Sequence, residues 1–169
     1  KGVSVTGNKI AGVYGYRLYQ KTSNGWKRIK DTTATSFTDS AVSANQTKTY
    51  TIRCIDKNGN TVSGYNSKGW SKKYTESTPS ISKLENTSGG IKLSWNKVTG
   101  AYGYRLYRKT SSGWKRIKDT TATTYTDSAV KSGRTETYTI RCIDRNGKTV
   151  SGYNSKGWSK KYVYNPPKS

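Results

Sequence analysis

YGYRLYQKTSNGWKRIKDTTATSFTDSAV at residues 14–42 returns as YGYRLYRKTSSGWKRIKDTTATTYTDSAV at residues 102–130. The match continues without a gap: residues 14–74 align with 102–162 at an offset of 88, and 50 of the 61 positions are identical. A period this long exceeds a solenoid unit and fits an array of small independent domains. The repeat therefore predicts two copies of one fold, and each copy's own pattern says which fold that is.

The pattern is one of strands. In GYRLYRK, Tyr104 pairs with Leu106 while Arg105 sits beside Tyr107. ETYTIRCID sets Tyr138, Ile140 and Cys142 on one face against Thr139 and Arg141. GGIKLSWNK sets Ile91, Leu93 and Trp95 against Lys92 and Ser94. Alternation of period two marks half-buried strands. Turn residues separate them: Asn58-Gly59 and Asn146-Gly147 read as type I′ hairpin turns, and Ser-Asn-Gly at 23–25 and Ser-Ser-Gly at 111–113 as another hairpin. No segment has helical periodicity with caps. About seven short strands per copy predict an all-β sandwich, with Tyr16, Leu18, Tyr50, Ile52 and Cys54 in the first core matching Tyr104, Leu106, Tyr138, Ile140 and Cys142 in the second.

Composition sets bounds on function. The chain of 169 residues carries 31 Lys and Arg against 9 Asp and Glu, a formal charge of +22, which keeps it soluble and draws it toward polyanions. Only 30% of residues are hydrophobic, but 14 Tyr and 5 Trp offset that. Disordered chains are poor in aromatics, and one buried Tyr or Trp removes about 150–250 Å² from water. There is no histidine, the usual general base and commonest metal ligand. Methionine is absent, position 1 included, so the chain reads as an excised or processed piece. No apolar run reaches the roughly 18–20 residues of a membrane span, and no signal peptide is visible.

The second copy, roughly residues 80–162, resembles the fibronectin type III domain. ISKLEN gives a first strand and IKLSW a second ending in a core Trp; a Tyr-x-Leu-Tyr strand, a Thr-Tyr-Thr-Asp strand and a Tyr-Thr-Ile-Arg-Cys strand follow, with a last strand after a short hairpin. Within that family, the resemblance is to the Lys- and Tyr-rich modules of Gram-positive surface and secreted proteins. It implies two tandem fibronectin type III-like, immunoglobulin-like β-sandwiches: one over 1–76 whose first strand is missing, and one over 77–164. Residues 75–80 (TESTPS) read as a short linker, and 165–169 (NPPKS) as the start of the next one. Gly7 stands where Trp95 stands, and Lys1 aligns with Gly89, so nothing matches the strand at 81–86. The first core should be thinner.

Most polar candidates read as scaffold. One Cys per copy, Cys54 and Cys142, cannot close an internal disulfide; each falls on an inward face, where free Cys behaves as a small hydrophobe. Asp31, Asp39 and Asp56 recur as Asp119, Asp127 and Asp144 at strand ends and turns, where Asp bonds nearby N–H groups. Asp56-Lys-Asn-Gly-Asn and Asp144-Arg-Asn-Gly-Lys look superficially like a calcium loop, but Lys57, Arg145 and Lys148 oppose a cation. There is no phosphate loop, nucleophile elbow or CxxC, so no cofactor, metal or catalytic residue is expected. Trp26, Trp114, Trp70 and Trp158 read as core or edge packing, with an exposed sugar platform as the alternative.

The distinctive feature is the outward face of the third strand. Arg17, Tyr19 and Lys21 alternate outward, as do Arg105, Tyr107 and Lys109, and family strand order adds Arg53 and Arg141 from the next strand. Such a face is either a solvated, charge-rich sheet surface or a weak binding site for anionic cell-wall or host glycans. The resemblance implies a non-catalytic spacer or adhesion unit of a larger secreted or surface-attached bacterial protein, located outside the cell without membrane insertion, whose partners include the other domains of its polypeptide. Two alternatives stay open: a carbohydrate-binding accessory module of a glycan-degrading enzyme, and nucleic-acid binding. The second is disfavoured because the charge is spread, +9 over residues 1–76 and +13 over 77–169.

Overall fold

The computed structural model describes residues 2–167. Lys1, Lys168 and Ser169 lie outside the described residues, so the pairing of Lys1 with Gly89 and the end of the 165–169 segment are not placed. The chain divides between Tyr74 and Thr75 into two compact units, and the described residues contain only strands, turns and loops.

Unit 1 has six strands: β1 (Val3–Thr6), β2 (Gly15–Thr22), β3 (Gly25–Thr32), β4 (Ser36–Asp39), β5 (Thr47–Ile55) and β6 (Trp70–Lys73). A two-stranded sheet, β1-β4, faces a four-stranded sheet in the order β3-β2-β5-β6. Unit 2 has seven: β7 (Ile81–Thr87), β8 (Gly90–Trp95), β9 (Gly103–Thr110), β10 (Gly113–Thr120), β11 (Thr124–Asp127), β12 (Thr135–Ile143) and β13 (Trp158–Lys161). Here β11-β8-β7 faces β10-β9-β12-β13, and every pairing is antiparallel. The period-two residues form the core as their pattern predicts. Tyr104, Leu106, Tyr138, Ile140 and Cys142 are buried against Ile91, Leu93 and Trp95 of the opposite sheet. The Trp95 ring meets Tyr104 edge-on, centroids 5.7 Å apart, a favoured aromatic geometry.

β7 closes unit 2 along one flank and ties the two sheets together. Its register sets Ile81 opposite Trp95, Leu84 opposite Leu93 and Asn86 opposite Ile91. Across the sandwich, Asn86 Nδ2 donates to the Lys161 carbonyl at 3.1 Å, and the Tyr162 hydroxyl donates to the Thr87 carbonyl at 2.8 Å. Unit 1 has no strand in this place among its described residues, and a cleft of about 890 Å³ lies between its sheets. Val3, Val5, Gly7, Tyr16, Leu18, Ile52, Cys54 and Trp70 are among its lining residues.

Three expectations are corrected. Ile52, expected in the core, is only half-buried, whereas Ile140 has no exposed surface. The identical strand sequence cannot bury Ile52 where the covering strand is absent. Trp70, expected to pack, is 58% exposed, while its counterpart Trp158 is half-buried. The turns at Asn58-Gly59 and Asn146-Gly147 are not type I′, which requires positive φ at both central residues. Asn45 is the only described non-glycine residue with positive φ. Instead, Asp56 Oδ1 accepts the Asn58 and Asn60 N–H groups at 2.9 Å each, and Gly59 takes φ 78° one position later. Asp144 repeats this with Asn146 and Lys148.

The 75–80 segment packs on unit 2. The Glu76 N–H donates to the Val150 carbonyl at 3.0 Å, Cys142 Sγ lies 3.7 Å from the Ser77 carbonyl, and Pro79 is fully buried.

Candidate functional site

β2 and β5 pair antiparallel with Arg17 opposite Arg53 and Tyr19 opposite Thr51, so all four point to the outer side of the four-stranded sheet. β3 sets Trp26 opposite Lys21 and Asp31 opposite Arg17. In unit 2 the same rows place Arg105 opposite Arg141 and Asp119, Tyr107 opposite Thr139, and Lys109 opposite Trp114. The sheet register thus brings together all the residues singled out from the sequence: Arg17, Tyr19, Lys21 and Arg53 on one unit, Arg105, Tyr107, Lys109 and Arg141 on the other.

They are not equally available. Arg17 Nε and Nη2 donate to the two Asp31 carboxylate oxygens at 2.8 and 2.9 Å, and Nη2 also donates to the Gly59 carbonyl at 2.9 Å. Arg105 makes the same fork with Asp119, 2.8 Å on each arm, and reaches the Gly147 carbonyl at 2.9 Å. The fork that could pair bidentately with an external anion is therefore taken by an internal carboxylate. The guanidinium holds the carboxyls of Asp31 and Asp119 below the usual range. These pairs are braces across the hairpins, and the rest of the face carries any binding.

That remainder is a row of cations over aromatic rings. Lys21 Nζ lies 5.9 Å from the Trp26 ring centroid, Arg53 stacks over Tyr65 at 5.4 Å, and Trp26 meets Tyr65 edge-on at 6.5 Å. Tyr19, Trp26, Thr51, Arg53 and Tyr65 line a shallow cleft of about 120 Å³. Arg53 Nε donates to the Ser63 carbonyl at 3.0 Å, which helps hold the guanidinium over Tyr65. Unit 2 repeats the row with Lys109 over Trp114 at 5.8 Å and Arg141 over Tyr153 at 5.3 Å. Cation–π contacts at such sites contribute about 0.5–1 kcal/mol.

Tyr65 and Tyr153 are the functional candidates that strand periodicity could not find, because they lie in loops. The available signal was the motif GYNSKGW, identical at 64–70 and 152–158. Its parts act together: Asn66 Oδ1 accepts the Lys68 and Gly69 N–H groups, and Thr51 Oγ1 donates to the Asn66 carbonyl at 2.6 Å. Gly69 has φ 71°, and a Cβ there would lie 2.8 Å from the Trp26 ring, so the glycine lets the indole lie against the loop.

The buried polar groups serve the scaffold. Asp39 and Asp127 accept from the Tyr50 and Tyr138 hydroxyls at 2.6 and 2.8 Å. The inward-facing Arg108 adds a 2.7 Å bond to Asp127, where unit 1 has Gln20. Cys54 and Cys142 are free and buried, and burial pushes the Cys142 thiol up. Among the described residues, no three His, Cys, Asp or Glu side chains converge to hold a metal ion.

The strand orders, three facing four in unit 2, are those of the fibronectin type III-like sandwich. The structure is similar to the chicken interferon gamma receptor alpha chain, with TM-score 0.60 at 11% identity, over 94% of this chain and 89% of that one. The fold class is all-β: two fibronectin type III-like, immunoglobulin-like sandwiches in tandem. No protein-family model matches the chain. In sequence it is 30% identical over 144 residues to exoglucanase B of Cellulomonas fimi, covering 78% of this chain and 12% of that enzyme. It is 28% identical over 155 residues to chitinase A1 of Niallia circulans, 85% of this chain and 21% of the enzyme. A poly(3-hydroxybutyrate) depolymerase of Ralstonia pickettii is 41% identical over 58 residues, 34% of this chain and 11% of the enzyme. The chain thus spans between about a tenth and a fifth of the length of these relatives.

Proposed function

We propose that the chain is a non-catalytic modular pair, a spacer with adhesive outer faces, in a larger extracellular bacterial protein that acts on or attaches to a polymer. The observation that carries this reading is the pattern of relatives. Similar sequence occurs as a small fraction of an exoglucanase, a chitinase and a poly(3-hydroxybutyrate) depolymerase. Relatives named for three different polymers match all or part of this chain, two over more than three quarters of it and one over a third, so it fits a part that serves such enzymes in common rather than one that performs any of their reactions. Insoluble polymers such as chitin cannot enter a cell, so a module shared with enzymes named for them supports an extracellular location.

The adhesive part rests on the outward rows. Lys21, Trp26, Arg53 and Tyr65 offer flat rings beside cations, suited to a sugar ring carrying carboxylate, phosphate or sulfate. Affinity per face is small, since exposed ion pairs contribute about 0–1 kcal/mol each. Two faces on one chain favour a repeating polymer over a monosaccharide. The partners are then anionic wall polymers or acidic host glycans, together with the neighbouring domains of the same polypeptide.

Co-sedimentation of the purified chain with chitin, an insoluble β-glucan and an immobilised teichoic acid tests the reading. Release from the two neutral polymers at low salt, with retention on the anionic one that is lost as salt rises, is the expected result. Salt-resistant retention on a neutral glycan overturns it in favour of a carbohydrate-binding accessory module.

A further inference from the structure

The arginines of the outer faces differ in which edge of the guanidinium stays open. Arg17 commits Nε and Nη2 to the Asp31 carboxylate and the second N–H of Nη2 to the Gly59 carbonyl; Arg105 does the same with Asp119 and Gly147. Neither keeps two parallel donors. Arg53 and Arg141 are anchored along the Nε side instead. Arg53 Nε donates to the Ser63 carbonyl at 3.0 Å, and Arg141 Nε and Nη2 share the Ser151 carbonyl at 3.1 and 2.8 Å. These bonds leave the terminal edge of each guanidinium open, with one N–H from Nη1 and one from Nη2 side by side. Tyr19 lies opposite Thr51, two residues before Arg53 on β5, and both tyrosine and arginine line the 120 Å³ cleft. Thr51 Oγ1 is already bonded to the Asn66 carbonyl, so the charged group this cleft offers is the Arg53 edge.

We propose that Arg53 and Arg141 choose the anion, and that the anion is a carboxylate fixed directly to a sugar ring. Each outer face takes one uronate unit, its carboxylate end-on to the guanidinium and its ring on Tyr19 or Tyr107. This rests on the glycan reading given above and narrows it to one class. The terminal edge of a guanidinium holds two parallel N–H groups in one plane, at the spacing of the two carboxylate oxygens. A sulfate or phosphate ester presents its oxygens as a tetrahedron, of which one such edge meets only two, and it hangs from the ring on an extra rotatable bond. The same faces already pair guanidinium with carboxylate in this bidentate way at Arg17–Asp31 and Arg105–Asp119. A cleft of about 120 Å³ is the size of one ring, so the carboxylate belongs on that ring and not at the end of a longer arm. Lys21 and Lys109, over Trp26 and Trp114, attract any anion as point charges and add no preference for its shape.

The test uses the intact chain and β-glucan oligomers of one length whose primary hydroxyls are left free, oxidised to carboxylate or converted to sulfate esters. The two anionic oligomers carry equal charge, so salt screens them alike and titration calorimetry reads the fork. The carboxylated oligomer is expected to bind about fivefold more tightly than the sulfated one, a modest factor because the site is exposed. The neutral oligomer should bind too weakly to measure. Arg53→Lys combined with Arg141→Lys keeps the net charge at +22 and replaces each fork with a point charge, so the two anionic oligomers should then bind equally. Tyr19→Ala combined with Tyr107→Ala should weaken both and leave their ratio intact, because the rings supply affinity and the forks supply the choice. Equal binding of the two anionic oligomers by the unaltered chain overturns the carboxylate assignment; if the tyrosine variant still weakens both, the glycan reading stands without it. A ratio that survives the lysine variant overturns the assignment to Arg53 and Arg141. Failure of both anionic oligomers to bind overturns this proposal and the adhesive reading together.

Discussion

Unit 1 and unit 2 share 50 of 61 aligned residues from Tyr14 and Tyr102 onward, yet one has a closed core and the other a cleft of about 890 Å³. Their outer faces match residue for residue along Arg17, Tyr19, Lys21, Trp26, Arg53 and Tyr65; their flanks do not match at all. Burial of a side chain is a property of what lies over it as much as of its own strand. Ile52 and Ile140 sit in eight-residue contexts that are identical, TYTIRCID at 49–56 and at 137–144, and differ in burial between a unit with β7 and a unit without a strand in that place among its described residues. The repeat thus separates two causes usually mixed together: strand pattern, which is common to both units, and closure, which is not.

The largest effect is expected from removing the indole that marks the difference. Trp95→Gly gives unit 2 the residue found at Gly7 and should destabilise it by roughly 3–5 kcal/mol, as large-to-small aromatic changes do. Calorimetry should show two transitions, with the lower from unit 1, drawing together in the variant. An unchanged unit 2 transition would mean that the indole is not what separates the cores.

Next is the inward charge cluster, present only in unit 2. Arg108 binds Asp127 at 2.7 Å and lies 3.9 Å from Glu136, where unit 1 has Gln20, Asp39 and Lys48. Arg108→Gln should cost about 1.5–3 kcal/mol, the range for a hydrogen bond to a charged group. Asp127 would keep the Tyr138 hydroxyl and the Ala129 N–H, so the loss should stay well short of unfolding. By contrast, acid should not distinguish the units through their braces. Asp31 and Asp119 titrate below their usual range because Arg17 and Arg105 hold them. Such groups add stability above the unfolded-state value near pH 4 and lose it as pH falls through the lower folded-state value. Parallel loss of both transitions below about pH 4 is expected, and loss confined to one unit would contradict equivalent braces.

Strand positions and the inward thiols were legible from the sequence, because period-two alternation and an internal copy report on them directly. The Arg17–Asp31 brace was not. It spans 14 residues and depends on hairpin register across an irregularity between Leu18 and Tyr19. A one-residue uncertainty there exchanges inward and outward neighbours. The Asp56 turn departs from the geometry that Asn-Gly signals because an Asp two residues earlier selects another through its carboxylate. Tyr65 lies in a loop, where no periodicity marks it, and its role appears only when β5 brings Arg53 beneath the loop.

A smaller asymmetry should appear in the thiols. Cys142 has no exposed surface, whereas Cys54 is buried but lines the cleft. Native-state labelling should be slow for both relative to denatured protein, with Cys54 faster by about tenfold, since reaction requires only a local opening there. Mass spectrometry of the labelled peptides resolves the two rates. Equal rates would indicate that the flank of unit 1 is effectively closed in solution.

The smallest effect is the one expected to be symmetric. Tyr19→Ala and Tyr107→Ala each remove a ring from the outer rows and leave the net charge at +22. The faces are identical in sequence, so each substitution should weaken binding to an acidic glycan by a similar few-fold factor, in keeping with about 0.5–1 kcal/mol for an exposed aromatic contact. The double variant should lose more than either single one, because avidity needs both faces. DNA is the control. A chain this basic attracts it through charge alone, and that attraction does not depend on the rings. A fall in glycan affinity with DNA binding unchanged supports a site built from rings and cations together. Equal glycan binding before and after returns the rows to a solvated surface, where Lys21 and Arg53 lie over Trp26 and Tyr65 for packing alone. A marked inequality between the single variants would mean that the open flank of unit 1 reaches through its sheet to the outer face, coupling the one region in which the units differ to the one in which they agree.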